Sequence, residues 1–454
     1  MEISERQIHL IDLVKKYLIK LSKSDVDLSK SSQCYFPLWA ETPGQARLKF
    51  WDKGWSYAIK FLYINLKYIL AIATHTEYDE IENNNQKNKA KNLIITWAFK
   101  SCFQSDGSFN DKYFAENSKN LKDSRWILIS ADDYVPGVLK DNIKIIKIKR
   151  GYFKYNFFSF LKALIKIFFK YKFSLKKIFH YLSSQSYFAN QMSTIVKKEL
   201  EKNDFHTILM PYECQPFQHT VYSEAKKYDK KILTLGYMHS MPTPLPCEYI
   251  FRYGAPDFLY LHGSSQMDIF KSKLNWPENK LKLIKSLRFR VENKKSFSKK
   301  IFLPLSIQKE NILIDSFKNF LSNCPSKSFQ KLEVMNHPAM LDSKKHISLK
   351  TEIEKLMEIY KDKFSDESTN KNDTIFFGVS GGIFEALEKG NKVIHICSNP
   401  LFESFNETIW TNLRIKKVNN FVFQYDLISK GQYINFGNKE DSITKVLENL
   451  TKIA

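Results

Sequence analysis

The chain has 454 residues, which is too long for one ordinary hydrophobic core and enough for two domains. Hydrophobic residues make up 43% of the sequence and aromatic residues 15%, a composition that excludes a disordered chain. The formal net charge of +22 indicates either an anionic partner or a lysine-rich solvated surface. Only eight of the 70 basic residues are Arg, and because nucleic-acid readers rely on Arg, we expect no nucleic-acid partner.

The cysteines and the apolar runs exclude further classes of protein. The six cysteines lie far apart without a CxxC pair, which indicates neither a zinc site nor a disulfide framework. The N-terminal sequence lacks the basic start and apolar run of a signal peptide. No uncharged apolar run reaches the roughly 20 residues that cross a bilayer. The sequence therefore predicts a cytoplasmic protein that holds no metal and does not span a membrane.

Short apolar runs rich in β-branched and aromatic residues recur between helical patterns, after a helical N-terminal region. In the first half these runs are 93–99, 125–130, 143–148, 207–212, 231–237 and 257–263. In the second half they are 300–307, 332–338, 374–380 and 392–398. Such alternation predicts an α/β fold with two Rossmann-like halves. The polar segment 292–300 separates the halves, so we predict one domain over residues 1–290 and a second over residues 291–454.

One segment, residues 152–179, has the pattern of a basic amphipathic helix. Lys162, Lys166 and Lys170 form one stripe, and the apolar residues between Phe158 and Phe169 form a broad face. Such a helix either lies in a membrane interface, with its lysines against anionic lipid, or covers the N-terminal sheet. The first interpretation predicts a peripheral contact with the inner membrane.

Two motifs in the first half place polar side chains directly after predicted strands. In MPYECQPF a strand ends near Pro211 and a helix begins near Pro216, with Glu213 between them. Ligands of open α/β sheets bind at the carboxyl ends of strands, where a carboxylate can take a proton from an acceptor hydroxyl. The alternative is an acid that caps the helix. His239 follows the next strand in GYMHSMP and either contacts the substrate or is structural.

A small-residue turn and a group of arginines predict contacts to an anionic group. Gly263 and Ser264 follow a strand and precede a helix, so they either bind an anion or cap the helix. Arg252, Arg288 and Arg290 are three of the few arginines in the chain. We therefore predict a phosphate or carboxylate contact from Arg252, Ser264 or Arg288.

Two motifs in the second half suit a nucleotide. His337-Pro338 ends a strand, and the proline fixes a turn that presents the imidazole at the carboxyl end of that strand. TIFFGVSGG runs from a strand through Ser380, Gly381 and Gly382 into a helix, and small residues let a phosphate approach closely. The spacing matches neither GxGxxG nor a P-loop, which excludes dinucleotide oxidoreductases and P-loop NTPases.

These motifs resemble those of known bacterial transferases. His337-Pro338, followed some forty residues later by Ser380 and a helix, resembles the motifs with which sialyltransferases, polysialyltransferases and capsule Kdo transferases hold CMP. The sequence IFEALEKG looks like the donor-domain helix of GT-B glycosyltransferases, which implies that Glu385 meets the nucleotide ribose. YECQPF with GYMHS after it is similar to bacterial surface-carbohydrate transferases, which implies an acidic catalytic residue at Glu213.

The resemblance implies a GT-B-like fold, in which two Rossmann-like domains face a cleft. It implies an inverting glycosyltransferase that moves a nonulosonic acid or Kdo from a CMP-sugar to a cell-surface glycan or lipid-linked acceptor. No cofactor or metal is expected, since a CMP donor has no diphosphate to neutralise and the sequence has no DxD motif. Two alternatives stay open: a CDP-alditol phosphotransferase of the teichoic-acid type, and a non-catalytic protein that binds nucleotides or polyanions.

Overall fold

The structure, a computed structural model, describes most of the chain. The described residues are 2–24, 26–38, 40–73, 78–83, 90–121, 123–132, 134–148, 165, 169, 184–292, 296–338, 340–365 and 373–451. Of the predicted amphipathic segment, only Ile165 and Phe169 are described, and both are helical and exposed. The predicted lysine stripe lies outside the described residues. Among the helices that are described, none is long and apolar enough to cross a membrane.

The first sheet is mostly parallel and has eight strands within the described residues. In chain order they are β1 (Tyr78–Glu82), β2 (Asn92–Ala98), β3 (Ser124–Ser130), β4 (Ile143–Ile148), β5 (Thr207–Pro211), β6 (Leu233–Tyr237), β7 (Phe258–Leu261) and β8 (Leu281–Leu283). Their spatial order is β1-β4-β3-β2-β5-β6-β7-β8, and every neighbouring pair except β1 with β4 is parallel. The strand order reverses between β2 and β5, which is therefore the switch point of this sheet.

The second sheet has six strands in the part of the chain that the structure describes. They are β9 (Lys300–Phe302), β10 (Glu333–Met335), β11 (Asp373–Phe377), β12 (Lys392–Ile396), β13 (Leu413–Lys417) and β14 (Val422–Leu427). Their order is β10-β9-β11-β12-β14-β13. The first four are parallel, β14 pairs antiparallel with β12, and β13 pairs antiparallel with β14. The switch point lies between β9 and β11. Short strand pairs also join Asn110–Asp111 with Glu116–Asn117, Ser286–Arg290 with Phe436–Gly437, and Phe329–Gln330 with Phe364–Ser365.

Helices flank both sheets, so the molecule is a mixed α/β protein. The described α-helices are α1 (Ile3–Ser24), α2 (Pro43–Lys53), α3 (Ala58–Ala73), α4 (Ser184–Lys202), α5 (Pro216–Tyr228), α6 (Ser264–Ser272), α7 (Glu310–Asn323), α8 (Lys344–Ile359), α9 (Gly382–Glu388), α10 (Pro400–Glu403) and α11 (Ile443–Thr451). Local sequence explains where two of them begin. Thr42 caps α2 by accepting a hydrogen bond from the Gln45 amide, and Gln215 forms a capping box with Gln218 at the start of α5.

All ten predicted strands are confirmed, since each predicted run overlaps one of β2–β7 or β9–β12. Strands β1, β8, β13 and β14 were not predicted. The sequence of β1, YDEIE, carries three acids that hide its strand character. In the structure, two of these acids, Glu80 and Glu82, lie within 3.5 Å of Lys144 on the neighbouring strand β4.

The two ends of the chain each pack on the sheet that is more distant in sequence. Gln7 of α1 donates to the carbonyls of Leu401 and Ser404, each at 2.8 Å, beside the second sheet. Ile443 of α11 belongs to a hydrophobic cluster with Trp126 of the first sheet. The predicted boundary after residue 290 falls between β8 and β9 in the chain, and it stays a prediction.

A buried cluster of charges ties the amino ends of β3 and β4 to helix α4. Glu199 is fully buried, and its carboxylate lies 3.2 Å from Arg125 Nε and 2.6 Å from Lys144 Nζ. Arg125 also pairs with Glu82 of β1. Because buried charges are costly unless they are paired, each member depends on the others. The cluster lies at the amino edge of the sheet, away from the edge where ligands bind.

We expect Glu199→Leu to lower the free energy of unfolding by about 3 to 5 kcal/mol, because Arg125 and Lys144 would keep buried charges without their shared partner. The measurement is the urea unfolding midpoint and slope. Lys198→Gln is the matched control, since it removes an exposed pair with Glu80 and should cost less than about 1 kcal/mol. Equal effects of the two changes would contradict this account.

Candidate functional site

The predicted polar residues after β5 and β6 meet at the carboxyl edge of the first sheet. These strands are parallel neighbours, with Pro211 paired to Tyr237. Glu213 and His239 each follow a strand end by two residues, and His239 Nε2 lies 3.2 Å from Glu213 Oε1. Because β5 borders the switch point of this sheet, the pair lies where ligands of open α/β sheets bind.

The Glu213 carboxylate is held by side chains. Gln215 Nε2 donates to Glu213 Oε2 at 2.6 Å. Gln218 Oε1 accepts from the backbone amides of Glu213 and Gln215, both at 3.0 Å, and thereby fixes the turn between β5 and α5. The N-cap of α5 is Gln215, so the alternative interpretation of Glu213 as the helix cap is wrong.

The residue after Glu213 has an unusual backbone conformation. Cys214 has a φ of 56°, in the left-handed region, which costs a residue with a side chain on the order of 1 kcal/mol. Its carbonyl accepts a hydrogen bond at 3.2 Å from Arg252, whose guanidinium also donates to the carbonyls of Glu248 and Ile250. Arg252 thus holds the strained turn that carries Glu213. Its predicted contact with a substrate anion stays a prediction.

The pair has a defined protonation state at neutral pH. Burial alone would raise the pKa of Glu213, but the hydrogen bonds from His239 and Gln215 and the charge of Arg288 lower it overall. Burial lowers the pKa of His239 more than Glu213 raises it, so the imidazole is neutral. A neutral imidazole that donates through Nε2 has a bare Nδ1, which is buried and has no hydrogen-bond partner among the described residues.

Exposure decides which of the two groups can act on a ligand. The Glu213 side chain is 27% exposed, whereas that of His239 is 5% exposed. A ligand can therefore reach the Glu213 carboxylate, while the buried His239 imidazole orients that carboxylate. This geometry favours Glu213 over His239 as the proton acceptor at the site.

Two residues between β2 and β3 complete the site and were missed by the sequence analysis. The Tyr113 ring packs edge-on against His239, with 4.5 Å between ring centroids. Asp111 accepts hydrogen bonds from the Tyr113 amide at 2.8 Å and from Thr96 at 2.7 Å, and burial raises its pKa to about 6. The stretch NDKYF has no periodicity or motif, so only its position in the fold reveals it.

Arg288 brings positive charge to the same place, and its predicted contact with a phosphate or carboxylate stays a prediction. Its Nη1 donates to the His239 carbonyl at 3.2 Å, and its guanidinium lies 5.9 Å from the centroid of the Tyr113 ring. The side chain is half-buried. An anionic group bound beside Glu213 would therefore meet a fixed positive charge.

The loop after His239 contacts the second sheet. A Cβ added to Gly381, which follows β11, would lie 3.7 Å from the Met241 carbonyl oxygen. Trp410 Nε1 donates to the Pro244 carbonyl at 3.1 Å. The carboxyl edges of the two sheets are thus neighbours, and the predicted residues Ser380, Gly381 and Gly382 lie on the same side as the Glu213 turn. In the loop after β11, Ser380 Oγ accepts a hydrogen bond from the Gly382 amide at 3.2 Å.

A pocket lies at the switch point of the second sheet. Its lining comprises Leu38, Gln45, Lys49, Leu305, Ser306, Gln308, Val379, Asn399, Phe402 and Glu403. Residues after β9, β11 and β12 supply one wall, and α2 supplies Lys49, whose Nζ donates to Gln308 Oε1 at 3.3 Å. Burial, with a contribution from the charge of Lys60, lowers the pKa of Lys49 to about 8. No sequence pattern points to Lys49, because nothing local predicts that α2 reaches the second sheet.

The other predicted donor residues lie at or near this edge. His337 and Pro338 follow β10, which is separated from β11 by β9, and of the two Pro338 is the more exposed. Neither is among the described residues that line the pocket. Glu385 of α9 is buried and pairs with Lys389 at 3.2 Å. Contacts of these three residues with a nucleotide stay predictions.

Ser264 lies in an internal contact. Its hydroxyl donates to the Gln432 side chain, and the amide of Ser265 donates to the Gln432 carbonyl at 3.0 Å. A Cβ on Gly263 would clash with the same carbonyl, so the start of α6 is covered by residue 432. The anion contact that was predicted for Ser264 stays a prediction, and it would need this segment to move.

Comparisons with known proteins do not indicate a function. No family model matches the chain, and a search of curated proteins gives no match. Within the described residues, no group of three or more His, Cys, Asp and Glu side chains is arranged to hold a metal ion.

A second acid, Glu248, lies buried behind the Glu213 turn in the opposite protonation state. Burial raises its pKa to about 8, and the nearby charge of Glu213 adds to this rise. Its Oε1 accepts from the Thr243 hydroxyl at 3.2 Å, and its Oε2 has no hydrogen-bond partner among the described residues. Glu248 is therefore protonated at neutral pH.

We expect the native protein to lose stability as pH rises from about 4.5 to about 8, because folded Glu248 keeps a proton that the unfolded chain releases. This one group changes the free energy of unfolding by at most about 1.4 kcal/mol per pH unit. Glu248→Gln should remove its contribution and raise the melting temperature at pH 7.5 but not at pH 4.5. The exposed Glu278→Gln serves as the control. A pH-independent effect of Glu248→Gln would refute the assignment.

Proposed function

We propose that this protein is an inverting glycosyltransferase that uses a CMP-activated sugar, with a GT-B arrangement of two facing α/β halves. The observation that carries the proposal is the partly exposed Glu213 carboxylate at the carboxyl edge of one parallel sheet, next to the carboxyl edge of the other. The acceptor would bind beside the first sheet and the donor beside the second. An acceptor hydroxyl and an anomeric carbon would meet between them.

The proposed reaction needs one proton acceptor. The acceptor hydroxyl gives its proton to a Glu213 oxygen as its own oxygen bonds to the anomeric carbon. The bond between that carbon and the donor phosphate oxygen breaks, and its electron pair leaves with CMP. His239 and Gln215 hold the carboxylate in place through the reaction, so they are positioning residues.

The charges around the site favour an acidic donor sugar. A nonulosonic acid or Kdo carries a carboxylate at its anomeric carbon, and Arg288 places positive charge beside Glu213. In the second half, the switch-point pocket offers polar groups from Ser306, Gln308 and Asn399 together with Lys49. The CMP assignment itself rests on the resemblance of the His337-Pro338 and Ser380 motifs. The acceptor would be a cell-surface glycan or a lipid-linked sugar.

We expect Glu213→Gln to lower turnover by at least about a hundredfold, which is typical for loss of a general base. The isosteric amide keeps the volume of the side chain, so CMP affinity and melting temperature should change little. The measurements are CMP release from CMP-sugars with acceptor present, and calorimetry with CMP. Glu224→Gln, which alters a half-buried acid of α5 that pairs with Lys227, is the control. Unchanged turnover in Glu213→Gln would exclude this residue as the base.

We expect His337→Ala to weaken CMP binding by about 1.5 to 3 kcal/mol, the range for a hydrogen bond to a charged group. Calorimetry with CMP, CDP and UDP measures this change and the nucleotide preference together. His206→Ala, at an exposed position before β5, is the matched control. Equal affinities of wild type and His337→Ala would remove His337 from the donor site, and preference for CDP would point to an alditol phosphotransferase.

A further inference from the structure

The start of helix α3 presents a large exposed apolar face. Trp55 is 87% exposed and Ile59 84%, and Leu62 and Tyr63 are more than half exposed. Monomeric proteins rarely expose several large apolar side chains in one place without an interaction partner. Within the residues that the structure describes, neither the fold nor the candidate site accounts for this face.

The four side chains lie on one side of the chain. Ile59, Leu62 and Tyr63 are spaced by three and four residues along α3, so they share a helix face, and Trp55 precedes them by one turn. The other side of α3 holds the helix to the protein. Ile64 is buried, and the Phe61 ring packs on Phe50 of α2 with 5.1 Å between centroids. The apolar face therefore belongs to a helix whose position is fixed by packing.

The chemistry of this face matches a membrane interface. Trp and Tyr favour the boundary between lipid headgroups and acyl chains, and aliphatic side chains can enter the acyl region. The lysines Lys53 and Lys60 are exposed in the same stretch of chain and can contact anionic headgroups.

We propose that the exposed face of α3, formed by Trp55, Ile59, Leu62 and Tyr63, docks on an anionic membrane surface. The helix would lie in the interface and not cross it, since α3 has only 16 residues. This inference is independent of the proposed transferase activity. A protein that binds membrane in this way would keep the face whether or not it transfers sugars.

The test is flotation of the full chain with vesicles of phosphatidylcholine alone and with 30% phosphatidylglycerol. We expect binding to the anionic vesicles, and a loss of at least about tenfold in the triple variant Trp55→Ser, Ile59→Ser, Leu62→Ser. Lys53→Gln with Lys60→Gln should weaken binding to anionic vesicles and reduce its salt dependence. These side chains are exposed, so all variants should keep the wild-type melting temperature.

The matched control is Leu341→Ser with Ile359→Ser, which removes exposed apolar side chains elsewhere on the protein, 61% and 63% exposed. It should bind vesicles as the wild type does. The proposal is overturned if the triple variant floats as well as this control. It is also overturned if light scattering without vesicles shows a wild-type dimer that the triple variant breaks, because the face would then be an interface between two copies.

Discussion

The parallel register between β5 and β6 is the constraint on which the candidate site depends. Pairing of Pro211 with Tyr237 sends both strands to the same edge at the same height, so residues two positions beyond each end become neighbours. A shift of one residue would turn the side chains to the other face and separate Glu213 from His239. Cys214 adopts a strained backbone conformation in this turn. Hydrogen bonds with Gln218 and Arg252 hold the chain in that conformation.

Burial and pairing give the two acids near this turn different protonation states at neutral pH. Glu213 stays ionised because His239 and Gln215 donate hydrogen bonds to it and Arg288 is near. Glu248, with one hydroxyl donor and deeper burial, keeps its proton. A site that contains both an ionised and a neutral acid has one group suited to accept a proton, which is the pattern of many acid-base sites. The assignment of roles here follows from environment and not from residue type.

The N-terminal helices connect the two proposed activities of the molecule. Helix α2 brings Lys49 to the pocket of the second sheet, and α3 follows it with the exposed face around Trp55 and Ile59. A membrane-docked α3 would thus place the pocket close to the lipid surface.

Strand positions and the placement of Glu213 and His239 followed from sequence alone, because β-branched runs and the residues that end them are local features. The missed strand β1 shows the limit, since its acids make sense only beside Lys144. Lys49 lines the pocket of the second sheet, and Tyr113 packs against His239, because of contacts between distant segments. No local pattern in the sequence encodes such contacts. The proximity of the loops that carry Met241 and Gly381 was likewise decided by packing. The sequence determined which side chains follow each strand, and only the tertiary structure decided which of them meet.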